Sequence, residues 1–101
     1  MKIVWSLGAQ TNLQEIGDYI AQDSPDRAFS FLFELIDYAE KVLMFPRAGR
    51  KVPETDLDEI REVIHKNYRV VYLMQKHQVL ILSVQEGHKM LKVSEICDTD
   101  I

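Results

Sequence analysis

The chain has 101 residues, 47% of them hydrophobic and 28% charged, with a formal net charge of −4. That length holds one core, so residues 1–101 read as a single domain, and the balance of residue types excludes disordered and fibrous classes. The negative charge argues against indiscriminate nucleic-acid binding, no run approaches the roughly 20 apolar residues of a membrane span, and the lone Cys97 excludes an internal disulfide and a cysteine-built zinc site, so the cytoplasm is the expected compartment.

Lys2 to Ser6 is β-branched and aromatic and predicts a short first strand. Leu13, Ile16 and Ile20 then recur at helical spacing, predicting a helix from about Leu7 to Ala21. Ser24-Pro25-Asp26 is a helix start: the hydroxyl caps backbone N–H groups, and proline loses nothing at the first helical position. The second helix is expected to run from Ser24 to Phe45, with Leu32, Leu35, Ile36, Ala39, Val42 and Leu43 as its apolar stripe. Phe29, Phe33 and Phe45 widen that stripe, so this helix is expected to touch more than one partner surface. The short link at Gln22-Asp23-Ser24 makes the two helices an antiparallel hairpin.

Phe45-Pro46 ends the second helix, because a residue before proline is pushed out of the α region. A polar connection with Arg47, Gly49, Arg50, Lys51, Pro53 and Glu54 follows. Three strands are then predicted at Ile60 to His65, Tyr68 to Gln75 and Gln78 to Val84, joined by two-residue turns at Lys66-Asn67 and Lys76-His77 into an antiparallel meander. On the last strand, alternation places Leu80, Leu82 and Val84 on one face and Val79, Ile81 and Ser83 on the other. Two largely apolar faces call either for a partner or for the chain's own polar tail, from about residue 88, to cover the second one.

The expected fold is therefore α+β: a strand and a helical hairpin packed on one face of a small, mainly antiparallel sheet. Leu13, Ile16, Ile20, Leu32, Ile36 and Val42 are expected to be buried together against the last strand, with truncation of Leu32 or Ile36 to alanine costing about 2–5 kcal/mol.

Charge is unevenly spread. Residues 1–45 hold three Lys/Arg against seven Asp/Glu, residues 46–77 seven against five, and residues 78–101 two against four. The middle segment is the locally basic one. Arg61 and Arg69, separated by one hairpin, are candidates for a joint cationic site across neighbouring strands; pairing with Glu62, Glu54 or a partner is the plainer reading. Tyr68 and Tyr72 share a face with Val70 and are expected to pack under the helices with their phenols reaching the edge. His65 and His77 adjoin turns and are expected in solvent. The spacing of His, Asp and Glu suggests no metal site, and no glycine-rich phosphate loop is present, so no cofactor is expected.

Trp5-Ser6, Ile16-Gly17-Asp18-Tyr19-Ile20, Phe45-Pro46-Arg47-Ala48-Gly49-Arg50 with Pro53-Glu54, and Ile60-Arg61-Glu62-Val63 leading to Asn67-Tyr68-Arg69-Val70-Val71-Tyr72 resemble, in order, the ParE branch of the RelE/ParE toxins. The resemblance implies a bacterial cytoplasmic toxin of a type II toxin–antitoxin system, held in a hetero-oligomer by a ParD-like or other antitoxin. It implies DNA gyrase as target in ParE-like members and ribosome-dependent cleavage of messenger RNA in RelE-like ones. Neither branch implies specific DNA binding by this chain or contact with a membrane.

For binding the target or antitoxin the candidates are Arg50, Arg61, Tyr68, Arg69, Tyr72, His88 and Lys89, with Arg61 or Arg69 expected to meet carboxylates of an acidic antitoxin segment. For a nuclease they are Arg61, Lys66, Arg69, His88 and Lys89, since cleavage through a 2′-hydroxyl needs a base, an acid and cations around the phosphate. RelE-like members often carry a further functional tyrosine near the C-terminus; here the tail after Lys89 has none and is acidic. Many ParE-like sequences are basic just after the last strand, where this chain has Gln85-Glu86. A toxin-like module that binds an antitoxin without being toxic therefore stands as a further reading.

Overall fold

A computed structural model describes residues 2–87. Strand β1 (Lys2–Trp5) leads into helix α1 (Leu7–Ala21) and helix α2 (Pro25–Val42). A 3-10 turn at Pro46–Ala48 and the two-residue strand β2 (Arg50–Lys51) precede the meander of β3 (Ile60–His65), β4 (Tyr68–Met74) and β5 (Gln78–Glu86). The sheet order is β1-β5-β4-β3-β2, with every pairing antiparallel except β1 against β5. The helical hairpin covers one face of this sheet, as expected.

Local signals set the helix starts. Ser6 Oγ accepts from the Ala9 N–H at 3.0 Å and Ser24 Oγ from the Arg27 N–H at 3.3 Å, each satisfying a donor that the first turn leaves unpaired. Helix α2 stops at Val42, three residues short of the expected end, where the Leu43 N–H still reaches Ala39 O at 2.9 Å. The polar connection also holds more order than expected, since Arg50 and Lys51 pair with Glu62 and Arg61 of β3.

The expected core shifts along both helices. Its centre is Ala9, Leu35, Ala39 and Leu43 against Val63, Val70, Tyr72, Val79, Ile81 and Val84. Leu13, Ile16 and Val42 pack on its margin and are half-buried. Ile20, Leu32 and Ile36 are also half-buried, with Leu32 in the seam between the helices against Gly17. The small residues Ala9 and Ala39 let the helix backbones approach the sheet, which places Leu35 deepest on α2 and leaves Leu32 and Ile36 on its shoulder.

The strict alternation expected on β5 fails at Leu82. Val71 opposes Ser83 while Tyr72 opposes Ile81, so Leu82 is an extra residue, a β-bulge. The bulge turns Val84 to the helix side with Val79 and Ile81, while Leu80 and Leu82 join Val52, Ile60 and Val71 in a second buried cluster on the other face. Helix α1 accommodates the bulge: Ser6 Oγ donates to Leu82 O at 3.2 Å and the Asn12 side-chain oxygen accepts from the Val84 N–H at 3.0 Å. The expected tail that was one way to cover the second face lies outside the described residues; within them, Val52 from the β2–β3 connection closes on it.

Candidate functional site

The β3–β4 register decides where the candidate cations stand. Arg61 opposes Tyr72 and Ile64 opposes Arg69, so Arg61 is on the helix side of the sheet and Arg69 on the other. The joint cationic site expected of them is therefore not formed. On the helix side Arg61 holds the neighbouring connection, donating from Nη2 to Asp58 Oδ1 at 2.8 Å, from Nε to Asp58 O at 3.1 Å and from Nη1 to Gly49 O at 3.0 Å.

On the opposite side, Arg69 is locked between two acids. Its guanidinium donates to both Glu54 oxygens at 3.0 and 3.1 Å, and Nη2 lies 2.7 Å from Glu62 Oε1. The Arg69, Glu62 and Glu54 side chains are 7%, 0% and 11% exposed. Arg50 reaches Glu62 from solvent, with Nε 2.6 Å from Oε2. Two carboxylates thus neutralise a buried arginine and take up Arg50 as well. The cluster has polar atoms left over: Arg69 Nε, Ser83 Oγ and Gln85 Oε1 are buried without a hydrogen-bond partner.

Tyr72 is packed under the helices, as expected, but its phenol turns inward rather than to a partner: it donates to Pro46 O and accepts from the Gly49 N–H at 3.1 Å. Gly49 must be glycine to allow this approach, because a Cβ there would meet the Tyr72 hydroxyl and lie 2.6 Å from Glu62 O. Burial raises the Tyr72 pKa above its ordinary value of 10, while the Gly49 N–H and the Arg61 charge oppose that rise. The unfolded chain loses this proton first, so the stability it confers is complete below about pH 10 and declines as pH rises beyond it. Chemical denaturation between about pH 8 and 11 is expected to show an alkaline loss that Tyr72→Phe reduces, with Tyr68, raised in the same direction by burial and by Glu86, supplying a remainder.

Tyr68 lies at the wall between two open clefts. One, of about 270 Å³, is bordered by Asn12, Tyr19 and Gln85; the other, of about 450 Å³, by Ile20, Arg27, Phe31 and Lys66. Lys66 is 2.9 Å from Glu34. His65, expected in solvent, is instead half-buried beside Phe31 and Tyr38, with Nε2 2.6 Å from the same Glu34 oxygen. Hydrogen bonds from Lys66, then His65, hold the Glu34 carboxyl below its usual range. No spacing rule on one strand links Glu34 to His65, which are 31 positions apart, so the sequence carried no signal for this cluster. The strand preceding Gly87 runs to Glu86, placing Gln85 and Glu86 inside β5 opposite Arg69 and Tyr68 rather than after it. His88 and Lys89 lie outside the described residues.

A family model for the ParE toxin of type II toxin-antitoxin system, parDE, matches residues 3–91. The chain belongs to the ParE toxin family. Among solved structures, a chain from a chromosomal ParDE TA system of P. aeruginosa superposes with a TM-score of 0.72 at 16% identity, over 85% of this chain and 95% of that one. A chain of the toxin-antitoxin complex RelBE2 from Mycobacterium tuberculosis superposes with a TM-score of 0.62 at 18% identity, over 87% and 92%. No curated protein sequence matches. These likenesses establish the fold for this ParE-family chain. Among its described residues, no helix is long and apolar enough to cross a membrane.

Proposed function

We propose that this ParE-family toxin acts by binding rather than by turnover, with DNA gyrase as its target in the bacterial cytoplasm and a cognate antitoxin that neutralises it. One observation carries the choice: Arg61, Lys66 and Arg69, the described candidates for a nuclease, are each already held by a carboxylate of the chain itself. Cleavage of RNA needs positive charge available to the phosphate as its negative charge builds, and a guanidinium clasped by two acids offers little of it. Tyr68 and Arg50, which stand at open clefts, are the contacts proposed for target or antitoxin, whereas Arg61, Arg69 and Tyr72 shape the surface from within.

The test is induction in bacteria with and without the gene adjoining this one. A DNA-damage response with intact transcripts, relieved by the neighbour's product, is the expected result. Cut transcripts would move the protein to the RelE-like mode that the RelBE2 likeness keeps in view, and unimpaired growth would make it an antitoxin-binding module without toxicity. Purified protein is expected to trap cleaved DNA on gyrase in the same direction.

A further inference from the structure

The larger of the two clefts beside Tyr68, about 450 Å³, has the size of pockets that take a small molecule. Arg27, Phe31 and Glu34 recur at four- and three-residue spacing on α2 and so share the stripe that borders it, with Asp26 and Ser30 on the neighbouring row. Lys66 and Asn67 of the β3–β4 turn close the other side. The apolar wall is Ile20 with the rings of Phe31 and Tyr68, whose centroids are 5.4 Å apart.

The charges around this cleft are of two kinds. Glu34 and Lys66 hold each other at 2.9 Å, and His65 reaches the same Glu34 oxygen at 2.6 Å. Asp26 and Arg27 are exposed and enter no ion pair among the described residues. One carboxylate and one guanidinium therefore stand open beside an apolar wall. An anionic ligand would gain Arg27 but face Asp26 and Glu34, and a cationic one would gain Asp26 but face Arg27 and Lys66. A ligand that carries both charges satisfies both open groups at once.

We infer that the cleft binds a free α-amino acid with a large apolar side chain: its carboxylate accepts from the Arg27 guanidinium, its ammonium donates to Asp26, and its side chain lies against Ile20, Phe31 and Tyr68. Ser30 and Asn67, which also border the cleft, supply neutral hydrogen bonds. The inference does not rest on the mode of toxicity, so its failure would leave the gyrase reading as it stands.

Three probes test it by NMR titration of the whole chain: L-phenylalanine, its amide, which lacks the carboxylate, and its N-acetyl derivative, which lacks the ammonium. L-phenylalanine is expected to shift the backbone amide signals of Ser30 and Asn67 saturably, with a Kd on the order of 1 mM, and each analogue to bind roughly tenfold more weakly. Arg27→Gln is expected to bring L-phenylalanine down to the affinity of its amide, and Asp26→Asn to bring it down to that of the N-acetyl derivative. Both side chains are exposed, so the fold is expected to tolerate either change. No saturable shift up to about 20 mM, equal affinity for the three probes, or a ranking that neither substitution alters would overturn the inference. Tighter binding of the N-acetyl derivative than of L-phenylalanine would overturn it too and mark the cleft as an anion site.

Discussion

Glu62→Ala is expected to cost about 3–5 kcal/mol, the largest loss anticipated from any single substitution of a charged residue here, because it leaves Arg69 as a buried charge with half its compensation removed. Glu62 is fully buried as a side chain and sits 2.7 Å from Arg69 and 2.6 Å from Arg50. The effect should be asymmetric. Arg50→Ala removes an exposed partner of the same carboxylate and is expected to cost at most about 1 kcal/mol. Replacing Glu62 and Arg69 by methionine together with Glu54 by glutamine is expected to recover much of the loss, since the cation and both carboxylates are then removed and none is left stranded. Urea unfolding of the three variants measures this ranking; a Glu62→Ala loss no larger than that of Arg50→Ala would show that water reaches the cluster.

Leu35→Ala is expected to cost about 2–5 kcal/mol, because the side chain has no exposed surface and its removal leaves a cavity at the centre of the helix–sheet interface. Leu32→Ala and Ile36→Ala are expected to cost less, as their half-buried side chains leave cavities that open to solvent. Thermal or urea denaturation of the three should therefore rank Leu35 first. A reversed order would mean that the seam between the helices, rather than their contact with the sheet, dominates stability.

Much of this architecture was legible from local chemistry. The Ser24-Pro25 start, the helical spacing of apolar residues on α1 and the two-residue turns at Lys66-Asn67 and Lys76-His77 are signals a few residues long, and the elements they announce are present. What the sequence did not disclose depends on contacts between distant segments. The two residues of β2 form a strand because β3 pairs with them, and the Leu82 bulge is met by Ser6, which caps α1, and by Asn12 within it. The depth of Leu35 relative to Leu32 follows from how closely alanines let a helix approach the sheet.

The candidate site shows a different kind of gap. With a two-residue turn at Lys66-Asn67, His65 must oppose Tyr68, and counting back along both strands sets Arg61 opposite Tyr72 and Arg69 opposite Ile64. The separation of the two arginines was thus implicit in the turn that the sequence predicts, although their nearness along the chain suggested otherwise. Their carboxylate partners were less accessible: Glu54 lies in a connection with no repeating pattern, so nothing local aims it at Arg69.

The parallel pairing of β1 with β5 joins Lys2 to Gln78, nearly the two ends of the described chain. During synthesis the first strand emerges with no partner and must wait until both helices and the other strands, up to β5, have been made. The helical hairpin needs only neighbouring residues and can assemble early, whereas closing the sheet requires a contact of high sequence separation, which slows folding. A ParE-family toxin built this way closes its sheet only after β5 has left the ribosome, so the order in which a ribosome delivers the chain delays the moment at which its finished surface can engage anything in the cell.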